Sequence, residues 1–205
     1  AEELEVKRRR GEDALRRIGG TQLPVPVIHG AENILRYRNK VQFPVAQGAV
    51  GYYQGGTHQV VDIADCLLQP VADTACRAAF KGWMEKLRVP AYEERTGKGV
   101  LRHLFVRTNA AGEALCCVVA NGKKLPYEGE LIHALRAAVP GLAGVVLSVN
   151  TRKTNVILGE EYRTLWGRDW LEEELCGHVF RLSVPSFFQV NREQTQVLYL
   201  SLIHI

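Results

Sequence analysis

The sequence predicts an α+β fold with mostly antiparallel sheets. Two observations carry that prediction. Short segments alternate apolar and polar residues between glycine-rich turns, and longer ones repeat apolar residues at helical spacing. There is also no tandem repeat or low-complexity stretch that would signal a solenoid or a fibre.

Residues 4–18 read as a helix, with Leu4, Ala14, Leu15 and Ile18 on one side and Gly19-Gly20 ending it. The proline- and valine-rich run 23–28 follows as an extended connector. From Tyr37 to Val45 the odd positions are Tyr, Asn, Val, Phe and Val, and the even ones Arg38, Lys40 and Gln42. That is a strand with a basic, polar outer face. Turns at Gly48 and Gly55-Gly56 link it to strands at 50–53 and 59–63, a three-stranded meander ending near Cys66. Residues 71–87 form a helix stopped before Pro90, and 100–106 with 114–119 form a hairpin around Asn109–Gly112. A helix over 131–139 closes at Pro140-Gly141. Strands follow at 145–149, 156–158, 162–166 and 179–183, and Asn191 caps a final helix.

The chain has 205 residues, 46% hydrophobic and 23% charged, values that exclude wholesale disorder and fit one large or two small domains. No apolar run reaches the roughly 20 residues of a membrane helix, and the acidic start Ala1–Glu5 is unlike a secretory signal. The five cysteines, an odd number without C-x-x-C spacing, point to a reducing cytoplasm rather than a disulfide framework. Adjacent Cys116 and Cys117 on a strand must face opposite sides.

Net charge is only +4, but it is unevenly distributed. Residues 33–61 hold Arg36, Arg38 and Lys40 and no acid; residues 95–124 hold six basic residues against Glu113; residues 160–174 hold six acids against two arginines. Two readings stand: ordinary solvated surface, or two basic stretches merging into one phosphate-binding face. No G-x-G-x-x-G, Walker, H-E-x-x-H or G-x-S-x-G motif is present, so generic motifs assign no chemistry.

More specific are five segments in order: Ala14-Leu15-Arg16-Arg17-Ile18-Gly19-Gly20; Tyr37-Arg38-Asn39-Lys40 with Phe43-Pro44-Val45; Asp62-Ile63-Ala64-Asp65-Cys66; Leu101-Arg102-His103-Leu104 with Arg107; and Ser186-Phe187-Phe188-Gln189-Val190-Asn191. Together, over residues 4–199, they resemble the RNA uracil-5-methyltransferase family, in its iron–sulfur branch that methylates 23S ribosomal RNA. The tRNA-specific branch lacks the cluster, and Cys66 argues against it. A free-standing RNA-binding module that has lost catalysis is the other reading.

The resemblance implies a division into 1–66, a helix and meander carrying the last cluster cysteine; 67–183, an α+β RNA-binding region; and 184–199, the start of a Rossmann-like methyltransferase domain. It implies that Cys66 is one ligand of a [4Fe–4S] cluster whose other three cysteines lie outside this chain. Gln189 is expected at S-adenosylmethionine, where an amide donates and accepts without adding charge beside a sulfonium. Arg38, Asn39, Lys40, Arg102, His103 and Arg107 are expected near RNA, and Phe187 against an extruded uracil. The nucleophilic cysteine and the carboxylate base fall beyond the glutamine segment, so this chain alone is expected to be inactive, and the parent to be a cytoplasmic monomer. Leu200–Ile205 is one possible translation of a sequencing-adapter transposon end and is expected to be non-native.

Overall fold

The alternation around Val41, Phe43 and Val45 forms β1 (Lys40–Ala46), whose apolar positions are buried while Lys40 and Gln42 stay partly open. The structure, a computed structural model, describes residues 2–203. The other elements are α1 (Glu2–Arg17), β2 (Ala49–Tyr53), β3 (Val60–Asp62), α2 (Val71–Lys86), β4 (Leu101–Thr108), β5 (Ala114–Ala120), α3 (Glu128–Ala138), β6 (Leu142–Val149), β7 (Glu161–Gly167), β8 (Trp170–Leu175), β9 (His178–Ser183) and α4 (Arg192–Ile203).

Seven strands form one sheet in the order β3-β2-β1-β4-β5-β6-β7. Every pairing is antiparallel except β5 with β6, which are parallel and joined through α3. The expected α+β class with mostly antiparallel pairing is therefore what the chain adopts, in a mixed sheet. Because β1 pairs with both β2 and β4, one sheet joins residues 1–66 to 67–183.

Side chains on the two sheet faces feed separate cores. Cys76, Phe80, Trp83 and Met84 of α2 and Leu131 and Leu135 of α3 pack with Val41, Phe43, Val106, Cys116 and Val118. Phe105, Leu115, Cys117 and Val146 pack the other way, against Leu171 and Val184. Cys116 and Cys117 thus face opposite sides, as the strand pleat requires. Each fully buried large apolar side chain contributes about 1.5–3 kcal/mol. By contrast α1 buries no residue; Arg8, clamped between Glu5 and Glu12, supports it locally. Among the described residues no helix is long and apolar enough to cross a membrane.

Three expectations need correcting. The first strand starts at Lys40 rather than Tyr37, because the residues before it pair with the chain at 190–191 on their other side: Arg38 bridges Asn191 and the Asn39 N–H donates to the Val190 carbonyl. Residues 156–158 are a loop: the Asn150 side chain takes the carbonyls of Val156 and Ile157 at 2.8 and 2.9 Å, replacing a ladder. The strand β8 is absent from the sequence reading because its inward positions are Leu171, Glu173 and Leu175, and a buried glutamate breaks the apolar alternation. The last helix starts where expected, with Asn191 Oδ1 accepting from the Gln194 N–H at 3.0 Å. It continues through Ile203; His204 and Ile205, the end of the expected adapter segment, lie outside the described residues.

Candidate functional site

The segment 184–191 crosses the end of the sheet at which β4 finishes. Arg107 on β4 is 1% exposed, and its Nη2 donates to the Ser186 carbonyl at 2.5 Å. Asn39, just before β1, donates from its backbone to the Val190 carbonyl (3.0 Å) and from Nδ2 to the Gln189 carbonyl (2.9 Å). A turn between Ser183 and Ser186 completes the fastening. Phe188 turns inward onto Leu175, Leu182 and Phe180, its ring 6.0 Å from that of Phe180. Its neighbour Phe187 is forced outward, 78% exposed, and Gln189 is exposed as well.

Lys40 and Arg107 are direct partners across β1 and β4, two cations side by side. Burial pushes Lys40 below its ordinary pKa, and Arg107 pushes it further. Burial lowers Arg107 to about 10, against the opposing pull of Glu173. Glu173 is 1% exposed, is itself raised by burial, and has Arg192 at 3.9 Å. Arg36, Arg38, Glu173 and Arg192 line a small cavity of about 140 Å³ beside this cluster. Behind Gln189, an open groove of about 340 Å³ runs along α4, lined by His29, Asn191, Gln194, Val197 and Leu198.

Arg38, Asn39, Lys40, Arg107, Phe187 and Gln189, expected from separate segments, therefore meet at one end of the sheet. Arg102 and His103 do not join them. They sit five and four residues back along β4, about 16 and 13 Å away at roughly 3.3 Å per residue. The Arg102 Nη1 donates to the carbonyls of Asn150 (2.8 Å) and Arg152 (2.7 Å), and its guanidinium stacks 4.5 Å from the Tyr92 ring centre. Burial, with the adjacent Arg102 charge, lowers His103 to about 4. Asn39, Arg102 and Arg107 are buried and committed to main-chain carbonyls. A side chain so placed braces the fold.

Cys66 follows β3, half-buried and free. Its loop is pinned by Arg36, which the sequence reading counted only as charge. That guanidinium grips the Asp65 carboxylate at 2.8 and 2.6 Å and donates to the carbonyls of Cys66 (2.9 Å) and Gln69 (2.8 Å). The Arg36 bonds hold the Asp65 carboxyl well below its usual range. Nearby, Asp73 is fully buried, neither oxygen has a protein partner, and burial raises it to about 8. Among the described residues no three histidine, cysteine, aspartate or glutamate side chains converge as a metal site.

Comparison with known proteins places this architecture. No protein-family model matches the chain. An uncharacterised RNA methyltransferase of Clostridium tetani is 38% identical over 203 residues, covering 97% of this chain and 44% of that protein. Similarly named proteins of Clostridium acetobutylicum and Caldanaerobacter subterraneus are 35% and 36% identical. The chain thus spans less than half the length of the curated relatives it matches. Among solved structures, the tRNA (uracil-54, C5)-methyltransferase of Pyrococcus abyssi, in complex with S-adenosyl-L-homocysteine, superposes with a TM-score of 0.77 at 20% identity. That match covers 98% of this chain and 48% of the other. The chain is related, through nearly all of its own length, to proteins named RNA methyltransferases, and it shares its fold with a tRNA methyltransferase.

Proposed function

We propose that this chain is the RNA-holding part of a longer S-adenosylmethionine-dependent RNA (uracil-5-)-methyltransferase of the 23S ribosomal RNA branch. The observation that carries the reading is the segment 186–191: its main chain is locked to the sheet, yet Phe187 and Gln189 stand free beside Lys40 and Arg38. A rigid backbone with an exposed ring and amide suits a site that grips an unstacked base and a cofactor together.

The residues fit S-adenosylmethionine in one respect. Gln189 offers an uncharged donor and acceptor on the rim of the groove along α4, where a sulfonium is not repelled. When bound, the cofactor supplies the methyl group. Phe187 offers its face to the extruded uracil, and the partly open Arg38 and Lys40 neutralise flanking phosphates. Asn39, Arg102, His103 and Arg107 belong to this reading as positioning residues, which keep the segment and its loops in register. Residues 184–199 are taken as the opening of the methyltransferase domain, and a cytoplasmic monomer as its working form.

The residues do not fit a [4Fe–4S] cluster by themselves, since Cys66 is one thiol where four are required. Within this reading Cys66 supplies a single thiolate to a cluster otherwise ligated by the parent protein, and no chemical step depends on it. The solved neighbour is named for a tRNA uracil, which favours a second reading, in which the RNA is a tRNA. A bare RNA-binding module is the third.

The decisive experiment uses the parent protein with transcripts of 23S rRNA and of tRNA, following methyl incorporation at uracil. Transfer to the rRNA alone supports the proposal; transfer to tRNA alone replaces it with the second reading, and no transfer to either with the third. Gln189→Ala should weaken S-adenosylhomocysteine binding in calorimetry at least tenfold, about 1.4 kcal/mol. Unchanged binding would remove Gln189 from the cofactor site.

A further inference from the structure

The end of the sheet opposite Gln189 carries a second basic surface with a cleft. Three loops meet there: the turn Glu93–Lys98, residues 121–124 after β5, and residues 150–160 after β6. They are laced together by buried or partly buried groups. Arg102 bonds the carbonyls of Asn150 and Arg152, and the Asn121 amide reaches the carbonyls of Gly97 (3.4 Å) and Gly99 (3.2 Å). The Lys153 side chain lies against Gly97.

Charge on this surface is not balanced. Three of its carboxylates sit in ion pairs, Glu93 with Arg95 (3.2 Å), Glu160 with Arg152 (2.8 Å) and Glu161 with Lys123 (2.8 Å), and Glu94 lies 3.3 Å from the His58 ring. Lys98, Lys124 and Lys153 are exposed and have no carboxylate partner among the described residues. Between the second and third of these loops lies a cleft of about 400 Å³, lined by Val149, Val156 and Leu158 and edged by Thr154 and by the pairs Lys123–Glu161 and Arg152–Glu160. That volume lies within the range of small-ligand sites; apolar walls edged by paired polar groups suit a neutral base, and the unpaired lysines on the same loops, outside the cleft, suit the phosphates beside it.

We propose that this loop cluster is a second RNA-docking surface: the cleft takes one unstacked nucleotide while Lys98, Lys124 and Lys153 hold the phosphates around it. The proposal rests on the reading of the chain as RNA-holding and adds to it a place and a geometry. The two ends of β4 are about 23 Å apart at 3.3 Å per residue. A single RNA strand of several nucleotides covers that distance. The loop cluster therefore fixes the register of the RNA, and the Phe187 end receives the base to be modified.

The test measures binding of a fluorescent 20-nucleotide single-stranded RNA of mixed sequence to the full chain, by anisotropy, across a salt series. The variant Lys98→Ala/Lys124→Ala/Lys153→Ala should bind about tenfold more weakly, with the slope of log affinity against log salt reduced by about 2. A control variant, Lys7→Ala/Arg10→Ala/Arg17→Ala on α1, removes the same charge elsewhere and should lose less than twofold. Equal losses in the two variants, or no loss in the first, overturn the docking surface while leaving the RNA-holding reading intact. Absence of RNA binding by the unmodified chain overturns both. All three lysines are exposed, so unchanged thermal unfolding of the first variant confirms that folding is not what the experiment reads.

Discussion

Burial acts in opposite senses on two titratable side chains of this protein, and each leaves its own mark on stability. His103, a base, is lowered to about 4 because its charged form is poorly solvated beside Arg102. Unfolded, it takes up a proton near 6.5, so between about pH 6.5 and 4 the unfolded state binds more protons. Stability therefore falls as pH drops through that window, by up to about 1.4 kcal/mol per pH unit. Urea unfolding midpoints of the wild type and His103→Gln between pH 7 and 4 should show the acid slope flattened in the variant. Asp73, an acid, is raised to about 8 by the same desolvation. Its folded form holds a proton that the unfolded chain loses near 3.9, so its contribution is complete below pH 4 and is lost as pH rises through 8. Asp73→Asn should exceed wild-type stability at pH 8 by about 1–3 kcal/mol and match it near pH 4, as read from denaturant midpoints.

At the scale of elements, the segment 184–191 behaves as a strap whose buckles are side chains of β1 and β4. Asn39→Ala deletes the donor to the Gln189 carbonyl and should cost about 1–2 kcal/mol. The informative readout is local: backbone amides of 188–191 should exchange faster with solvent, while those of β5 stay protected. Asn191→Ala removes the N-cap of α4 and should cost about 1 kcal/mol by the same denaturation measurement. The strap also shows how far patterning is legible. Apolar residues between turns mark β1 and β5 plainly, because their buried positions are apolar. The strand β8 was invisible because Glu173 faces inward there, and its burial makes sense only beside Arg107 and Arg192, which lie 66 residues before it and 19 after.

At the scale of the whole molecule, the mixed sheet brings residues 150 apart in the chain into one site, as when Asn39 meets Gln189. The pairing of β6 with β7 depends on close main-chain approach at Gly144, where a methyl group would run into the Arg168 carbonyl. Gly144→Ala should therefore cost about 3 kcal/mol or more, with loss of cooperative thermal unfolding as the check. The helix cap at Asn191, the opposed faces of Cys116 and Cys117 and most of the helices and strands follow from the sequence itself, because each is set by residues a few positions apart. Which basic side chains remain free was settled only in three dimensions. Arg102 and Arg107 read like Arg38 and Lys40 along the chain, yet they are buried on carbonyls supplied by residues 48 to 79 positions away. Solvent exposure is a property of distant neighbours, and alternation along one strand cannot report it.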